Sequence, residues 1–593
     1  MMTQSFRDST VFRVCKLTLL VLALSARSAL CGDVPRAAGP GEGRPKKIFA
    51  HYMACYPVAA MATAHHRAND AHKIRHDRPG QFDAIGDRWR NWPLVPDGMK
   101  LTLDESADLE IRRALRGGID GFAIDAWAGG QGAKDVFDAL LKVARDKDYP
   151  FEVTICLDAG VQSNEGLADS IKYVIEKHGN NPKLARRNGK PLIFGYLSSF
   201  IGFRHGANIL KQQPGHAQAK IEDLYLLPEL RLKEEGWQTM ADGLLGMQRQ
   251  VGRELYLHYC MGAFFHQVPN ATWDQNDLVR AAGFMGARFG AVGEFLGGGT
   301  THDRMAAVVK AAGAEWSEPM YFQYENIGWG GNRISLGFDI LRDRWKQARA
   351  NDSTLIQFVT WNDYTENTCL APAYDTRYAV LDLNAWFVKW WKTGQEPAPD
   401  HDRVYLSYRK YPKGARLFPF KPKQPDAGGV LEVLTILPRP ARVRLPGRDA
   451  EYDVPARMFW RQFDLKPGPV VAEVVREGRV DVRLECPEPI TDRPFREQNG
   501  MACYSTEFLR HWKADFGDAP PLLRGEYADD DHDGLPNWFE MYWFGKFLDW
   551  STATAADPKA VGKDGKTNLQ HYRDQTAPVD FPPTGPRREH TDG

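Results

Sequence analysis

The chain has 593 residues, more than one ordinary domain holds, although a (β/α)8 barrel takes up about 250 of them as one piece. Its 76 basic and 76 acidic side chains cancel, which argues against nucleic acid or an anionic membrane surface as the main partner. Aromatic residues reach 11 %, with 17 Trp, enough to provide sugar-stacking faces, although ordinary cores use aromatics too.

The N-terminus reads as a targeting segment. Arg13 and Lys16 precede a mostly apolar run from Leu17 to Leu24, and the small residues Ser25, Ala26, Ser28 and Ala29 follow. The run is far shorter than the ~20 residues that span a bilayer. Residues 1–31 are therefore expected to be a signal peptide cleaved near Cys31, and the protein to be secreted or periplasmic. A lipoprotein lipidated at Cys31 is the alternative, to which Leu30 is a poor fit. No later stretch is apolar for long enough to cross a membrane. Cys15 and Cys31 lie in this leader; Cys55, Cys156, Cys260, Cys369, Cys486 and Cys503 are scattered, with no CxxC zinc spacing. Cys156 and Cys260 sit in apolar strand-like runs and read as buried thiols.

Residues 32–45, rich in Gly and Pro, read as a linker. Between 46 and 398, short apolar segments alternate with helical patterns. The expected strands are 46–53, 118–126, 151–159, 190–197, 255–261, 288–295, 319–326 and 355–364. Little strict alternation within them suits parallel strands buried on both faces. The fold class expected is α/β, a (β/α)8 TIM barrel, followed by a small all-β domain and a short acidic module. The segment 54–100 is too long for a plain connection and is expected to fold over the barrel mouth. Residues 402–515 alternate in short runs broken by Pro and Gly and read as a β-sandwich-like accessory domain. An EF-hand-like module is expected at 521–575, and a disordered tail at 576–593.

A barrel enzyme carries its chemistry at the C-terminal ends of its strands. Read in that way, the strands end at His51, at Asp125 with Trp127, at Asp158, at Tyr196, at His258, at Glu294, at Tyr324 with Glu325 and Asn326, and at Trp361, Asn362, Asp363 and Glu366. No HExxH, Walker loop or GxSxG elbow points to metalloprotease, nucleotide or serine-hydrolase chemistry. Breaking a glycosidic bond needs one protonated and one ionised carboxyl. Asp363 and Glu366, three apart where a strand gives way to a loop, can face one cavity if the backbone turns there. The plainer reading is that one of them caps that turn. Asp125, Trp127, His51, Asp158, Glu294, Tyr324, Trp361 and Asn362 are the candidate substrate contacts. Each has a structural alternative: Asp125 as a helix cap, His51 and His258 as core histidines, and at least one of Trp127, Trp329 and Trp361 as barrel packing.

The segments FAHYM, GIDGFAIDAW and TWNDYTEN, in that order, resemble glycoside hydrolase family 71, the α-1,3-glucanases or mutanases. The resemblance covers residues 46–395. It implies a barrel, inverting endo-hydrolysis of α-1,3-glucan without a catalytic cofactor, and an acid/base pair in a WND-x-x-E motif that falls on Asp363 and Glu366. Thr365 and Asn367 depart from the family's pattern and leave the exact substrate open. Glycoside hydrolase family 99, acting on α-mannosides, is similar in this region, and a non-catalytic carbohydrate-binding barrel is the alternative of a different class. The expected partner is a polysaccharide, and the expected state a monomer.

Near the C-terminus, Asp529, Asp531, Asp533, Gly534, Leu535, Asn537 and Glu540 fit D-x-D-x-D-G-x5-E. In such a loop the carboxylates and the carbonyl of residue seven surround calcium. Asp529, Asp531, Asp533, Leu535, Asn537 and Glu540 are therefore the expected ligands. The stretch resembles DxDxDGLPDxWE modules of bacterial secreted proteins. A degenerate second copy, 563–572, places Asp564, Gly565 and Asn568 in register but carries His571 where Glu is expected.

Overall fold

Eight parallel strands close into a ring, most of them apolar enough to be covered on both faces. The computed structural model describes residues 44–60, 91–96, 98–125, 131–212, 234–262, 274–326, 331–419, 428–495, 501–519, 521, 525–545 and 552–578. The strands in chain order are β1 (Lys47–Tyr52), β2 (Gly121–Asp125), β3 (Glu152–Asp158), β4 (Arg186–Arg187), β5 (Lys190–Tyr196), β6 (Tyr256–Cys260), β7 (Ala291–Gly293), β8 (Glu315–Met320), β9 (Tyr324–Asn326), β10 (Gly331–Arg333) and β11 (Leu355–Phe358). The ring runs β1-β2-β3-β5-β6-β7-β8-β11 and returns to β1; β4 is an antiparallel addition to β5. With helices following the strands, this is a (β/α)8 barrel.

The chain divides into two compact units. One holds residues up to Cys55 with Ile119–Met320 and Lys346–Val359; the other holds Tyr56–Gly118, Tyr321–Trp345 and Thr360 onward. All eight barrel strands belong to the first. Inward side chains Phe49, Ala123, Cys156, Leu192, Phe194, Tyr256, Ala291 and Leu355 pack together in its interior. Because side chains alternate along a strand, the same face carries His51, Asp125, Asp158, Tyr196, His258 and Gln357 farther along. Strand packing is close enough that a Cβ at Gly121 would sit 2.4 Å from the Glu152 carbonyl oxygen. Helix ends follow local sequence: Asp274 caps Gln275–Gly286 in a reciprocal box with Asp277, and Ser163 caps Asn164–His178.

Three expected strands need correction. The seventh barrel strand is Glu315–Met320, not 319–326. Its sequence EWSEPM carries two acids, so it does not look apolar, yet every residue is buried. Burial is possible because the acids are paired: Glu315 takes a two-pronged bond from Arg187, and Glu318 accepts from the Trp316 indole at 2.9 Å and from Ser353 at 3.2 Å. Burial alone would raise the Glu315 pKa, but the Arg187 fork outweighs it and holds the carboxyl below its usual range. Tyr324–Asn326 instead forms β9, antiparallel to β10 in the second unit. The sixth and eighth barrel strands are shorter than expected, Ala291–Gly293 and Leu355–Phe358.

In the second unit, β12 (Arg403–Tyr408), β13 (Val430–Leu437), β14 (Ala441–Leu445), β15 (Ala450–Val454), β16 (Arg457–Asp464), β17 (Val471–Arg476), β18 (Arg479–Glu485) and β19 (Ala502–Ser505) make two antiparallel four-stranded sheets, β16-β13-β12-β19 and β15-β14-β17-β18. Val404, Leu406, Leu431 and Val433 from one, with Val443, Leu445, Ala472 and Val474 from the other, share a core, as the inner faces of a sandwich do. Also in this unit, the buried Arg113 on the helix Leu103–Arg116 pairs at 2.6 Å with Asp515 on the helix Phe508–Phe516. Among the described residues no helix is long and apolar enough to cross a membrane. The expected leader and the tail beyond 578 lie outside the described residues.

Candidate active site

The segment that follows β11 is a loop pinned at its neck. The Thr360 N–H donates to the Thr368 carbonyl at 3.1 Å, the Leu370 N–H returns to the Thr360 carbonyl at 3.0 Å, and the two threonine hydroxyls meet at 3.0 Å. Inside it the Asp363 N–H donates to Thr360 Oγ1 at 2.9 Å. Asp363 Oδ1 then accepts three bonds: from the Thr365 N–H at 3.0 Å, the Thr365 hydroxyl at 2.7 Å and the Glu366 N–H at 3.0 Å. Asp363 thus caps the turn that carries Glu366. It is 6 % exposed, whereas Glu366 is half-buried.

Asn367 follows with φ 52°, a left-handed conformation that Asn tolerates better than most residues. Its amide donates to Glu325 Oε2 at 3.1 Å, and its carbonyl accepts from Asn91 at 3.1 Å. Glu325 is fully buried on β9, and its N–H donates to the Glu366 carbonyl at 2.8 Å. A third carboxylate therefore stands beside the Asp363–Glu366 turn. The sequence placed Glu325 at a strand end without marking it. A buried Glu bonded by an Asn forty-two residues on has no signature in spacing.

Two expected substrate contacts are structural instead. Trp361 is 0 % exposed, and its indole N–H donates to Glu110 at 3.3 Å; a ring with no exposed face cannot stack on a sugar. Asn362, also buried, donates from its amide to the Tyr56 carbonyl at 3.0 Å. Glu110, midway along the helix Leu103–Arg116, also accepts from Ser106 at 3.0 Å. Tyr324 lies half-buried on β9.

In the barrel, His51 is 2 % exposed, with Nε2 3.0 Å from Gln357 Oε1 and its ring edge-on to Phe194 and Phe295. The Gln357 amide lies 3.4 Å from His258 Nε2 and donates to the Glu294 carbonyl at 2.5 Å. Burial pushes the His51 pKa down to about 4, and burial with the His51 charge pushes His258 down to about 3. Both are interior histidines, and His51, 2 % exposed, is engaged by Gln357. The Glu294 carboxylate, just past the end of β7, is engaged by His302 at 3.3 Å.

Asp125 and Asp158 end adjacent strands on the inward face. Burial, then the charges of these two acids, holds the Cys156 thiol protonated, so both lie near that side chain. Asp158 Oδ1 accepts the Gly160 N–H at 2.7 Å, and burial raises its pKa against that bond. Trp127 and Trp329 lie outside the described residues.

In the acidic module, ligand-capable oxygens of Asp529, Asp531 and Asp533 converge within 4.8 Å of one another. The Leu535 side chain is buried among Phe495, Trp538 and Phe539, which leaves only its carbonyl for the expected role. Asn537 does not fit as a direct ligand. Its carbonyl oxygen accepts the Asp530 N–H at 3.1 Å, and its amide donates to the Gly525 carbonyl at 3.0 Å.

No family model matches the chain. A glucan endo-1,3-α-glucosidase of Schizosaccharomyces pombe is 22 % identical over 350 residues, covering 54 % of this chain and 70 % of its own. Among solved structures, a GH99 endo-α-mannosidase from Bacteroides thetaiotaomicron aligns at 15 % identity and TM-score 0.36, over 58 % of this chain and 97 % of its own. β-Glucuronidase 2 of Bacteroides uniformis aligns at 11 % identity and TM-score 0.34, over 65 % and 43 %.

Proposed function

We propose that the protein is a glycoside hydrolase acting on an α-glucan, with Asp363 and Glu366 as its acid/base pair. The observation that carries this is the pinned turn, which holds Asp363 by three donors to one oxygen and presents Glu366 three residues later. Hydrogen bonds from N–H and O–H groups favour an ionised carboxylate, so Asp363 suits the base that activates water. Glu366 then serves as the acid that protonates the leaving oxygen. Asp125 and Asp158, at inward-facing strand ends, suit binding of sugar hydroxyls. The S. pombe relative supports an α-1,3-linked glucan as substrate, cleaved internally, and the family 71 resemblance of TWNDYTEN supports inversion. The apolar run behind Arg13 and Lys16 supports a secreted or periplasmic enzyme.

The second reading, hydrolysis of an α-mannoside, is favoured by the resemblance of the TWNDYTEN segment to family 99. One experiment separates the two: incubation with a panel of α-glucans and α-mannans, with NMR of the first product anomer. Release of β-anomeric reducing ends from α-1,3-glucan is expected. Cleavage of mannan alone would move the assignment to the second reading, and an α-anomeric first product would overturn inversion.

A further inference from the structure

Glu366 stands between two main-chain ties and a side-chain brace. Its N–H donates to Asp363 Oδ1 at 3.0 Å, and its carbonyl accepts the Glu325 N–H at 2.8 Å. The brace is the next residue, Asn367, in its left-handed conformation. That backbone costs a residue with a Cβ some free energy, which bonds from the side chain offset. The Asn367 amide is held at both ends, by Glu325 Oε2 at 3.1 Å and by Asn91 Nδ2 at 3.1 Å. Asn91 reaches the other side of Glu366 as well, since its main-chain N–H donates to the Tyr364 carbonyl at 3.2 Å. Asn91, Asn367 and Glu325 thus join three separate segments of the chain around one half-buried carboxyl.

The direction of these bonds is set at their origin. Asn91 Oδ1 accepts two main-chain N–H groups, those of Trp92 and Asp375, each at 3.0 Å. Its NH2 is what remains for Asn367. Asn367 receives that donor on its oxygen, which turns its own NH2 toward the Glu325 carboxyl. Asp375 is anchored in turn, because its carboxylate takes the Lys410 ammonium at 2.8 Å and both side chains are buried. Asn91, Asn367 and Glu325 are each at most 1 % exposed. None of them can touch a substrate, so any effect on one passes through Glu366.

We propose that Asn91, Asn367 and Glu325 form a positioning relay that fixes Glu366 in its turn by matching donor to acceptor along the series. The proposal rests on the acid/base reading of Asp363 and Glu366. A general acid works only within hydrogen-bond reach of the atom it protonates, and a misplacement of about 1 Å can cost about a hundredfold. The relay supplies that constraint from beneath the site.

The test uses the full chain, with kcat and KM on α-1,3-glucan, melting temperature, and hydrogen–deuterium exchange of residues 360–370. Asn367→Gly keeps the left-handed backbone open and removes only the brace. It is expected to lower kcat by roughly tenfold or more with KM unchanged, and to speed exchange in that segment. Asn91→Asp keeps an acceptor for the Trp92 and Asp375 N–H groups but sets a second oxygen against Asn367 Oδ1, and a similar loss is expected. Adding Glu325→Gln to Asn91→Asp lets the Asn367 amide turn round, donating to the new carboxylate at 91 and accepting from the new amide at 325. That double variant is expected to recover most of the lost kcat, which general destabilisation would not allow. Unchanged kcat or unchanged exchange in Asn367→Gly, or no recovery in the double variant, would each overturn the proposal. Full activity in Glu366→Gln, with faster exchange in Asn367→Gly, would instead overturn the acid role on which the proposal rests while leaving the relay's hold on the turn in place.

Discussion

Replacing Asp363 by Asn and by Ala separates its two tasks. Asp363 Oδ1 accepts from the Thr365 N–H, the Thr365 hydroxyl and the Glu366 N–H. Asn keeps an oxygen there, so the three donors stay satisfied and only the charge assistance is lost, about 1 kcal/mol in stability. Ala leaves the donors to water, and because Thr365 and Glu366 are half-buried the cost falls near the low end for unmet donors, about 2 kcal/mol in total. Catalysis follows another order. A general base contributes roughly 10²–10⁴-fold, which is about 3–5 kcal/mol of barrier, and Asn is as unable as Ala to take a proton. The expected result is a kcat reduced about equally in both variants, measured by reducing-end release from α-1,3-glucan, with melting temperature lowered clearly only in Asp363→Ala. Full activity in Asp363→Asn would refute the assignment. So would a kcat that tracks melting temperature across the two variants, since Asp363 would then be a cap and nothing more.

Trp361→Ala is expected to cost about 3–5 kcal/mol by removing a fully buried ring and to leave KM of the surviving enzyme unchanged; a raised KM with intact stability would restore the sugar-stacking role. Glu315→Gln is expected to cost about 3–5 kcal/mol by leaving the buried Arg187 unpaired. The Glu315 carboxyl titrates below its usual range in the fold, so its contribution is present above the unfolded pKa and is lost as pH falls. The acid limb of a stability–pH curve should therefore flatten in the variant, and an unchanged limb would contradict the pairing. His51 and His258 have folded pKa values of about 4 and about 3, below the unfolded value of ~6.5. The unfolded chain binds more protons in that window, so stability should fall as pH drops from about 6.5 toward 4. His51→Gln should lessen that slope, as seen in urea midpoints between pH 7 and 4.

Barrel strands could be read where the environment is apolar, and were missed where burial is achieved by pairing. Phe122–Ile124 and Ile155–Leu157 announce themselves because nothing polar is needed to bury them. Glu315–Met320 does not, since its burial depends on Arg187, 128 residues earlier, and long-range pairing leaves no trace in local spacing. The same limit divides the site. The Asp363–Glu366 turn is a local object, written in one segment with its neck threonines. The roles of Trp361 and Asn362 are fixed by Glu110 and Tyr56 in a distant part of the chain, so their types suggested sugar contact and their partners made them structural. The acidic loop shows both cases: its carboxylates are legible from their spacing, whereas the clamp made by Asn537 depends on Gly525 lying outside the motif.

Capping the turn is compatible with the proposed role of Asp363 as base. A carboxylate has two oxygens and about four acceptor sites, and three of the bonds to Asp363 converge on Oδ1 alone. A base on a free rotor must be brought into place at each turnover, at the expense of side-chain entropy. A base whose first oxygen is tied into a turn, itself closed by Thr360 and Thr368, has its orientation fixed before substrate arrives, which is the condition for preorganised catalysis. On the proposed acid/base reading, Thr365, whose hydroxyl and N–H supply two of the three ties, is a positioning residue. Thr365→Val keeps the N–H and removes the hydroxyl. It should lower kcat by several-fold with KM unchanged, and Thr365→Ser should restore most of the loss. Equal kcat in Val and Ser variants would mean that the turn holds Asp363 without that hydroxyl.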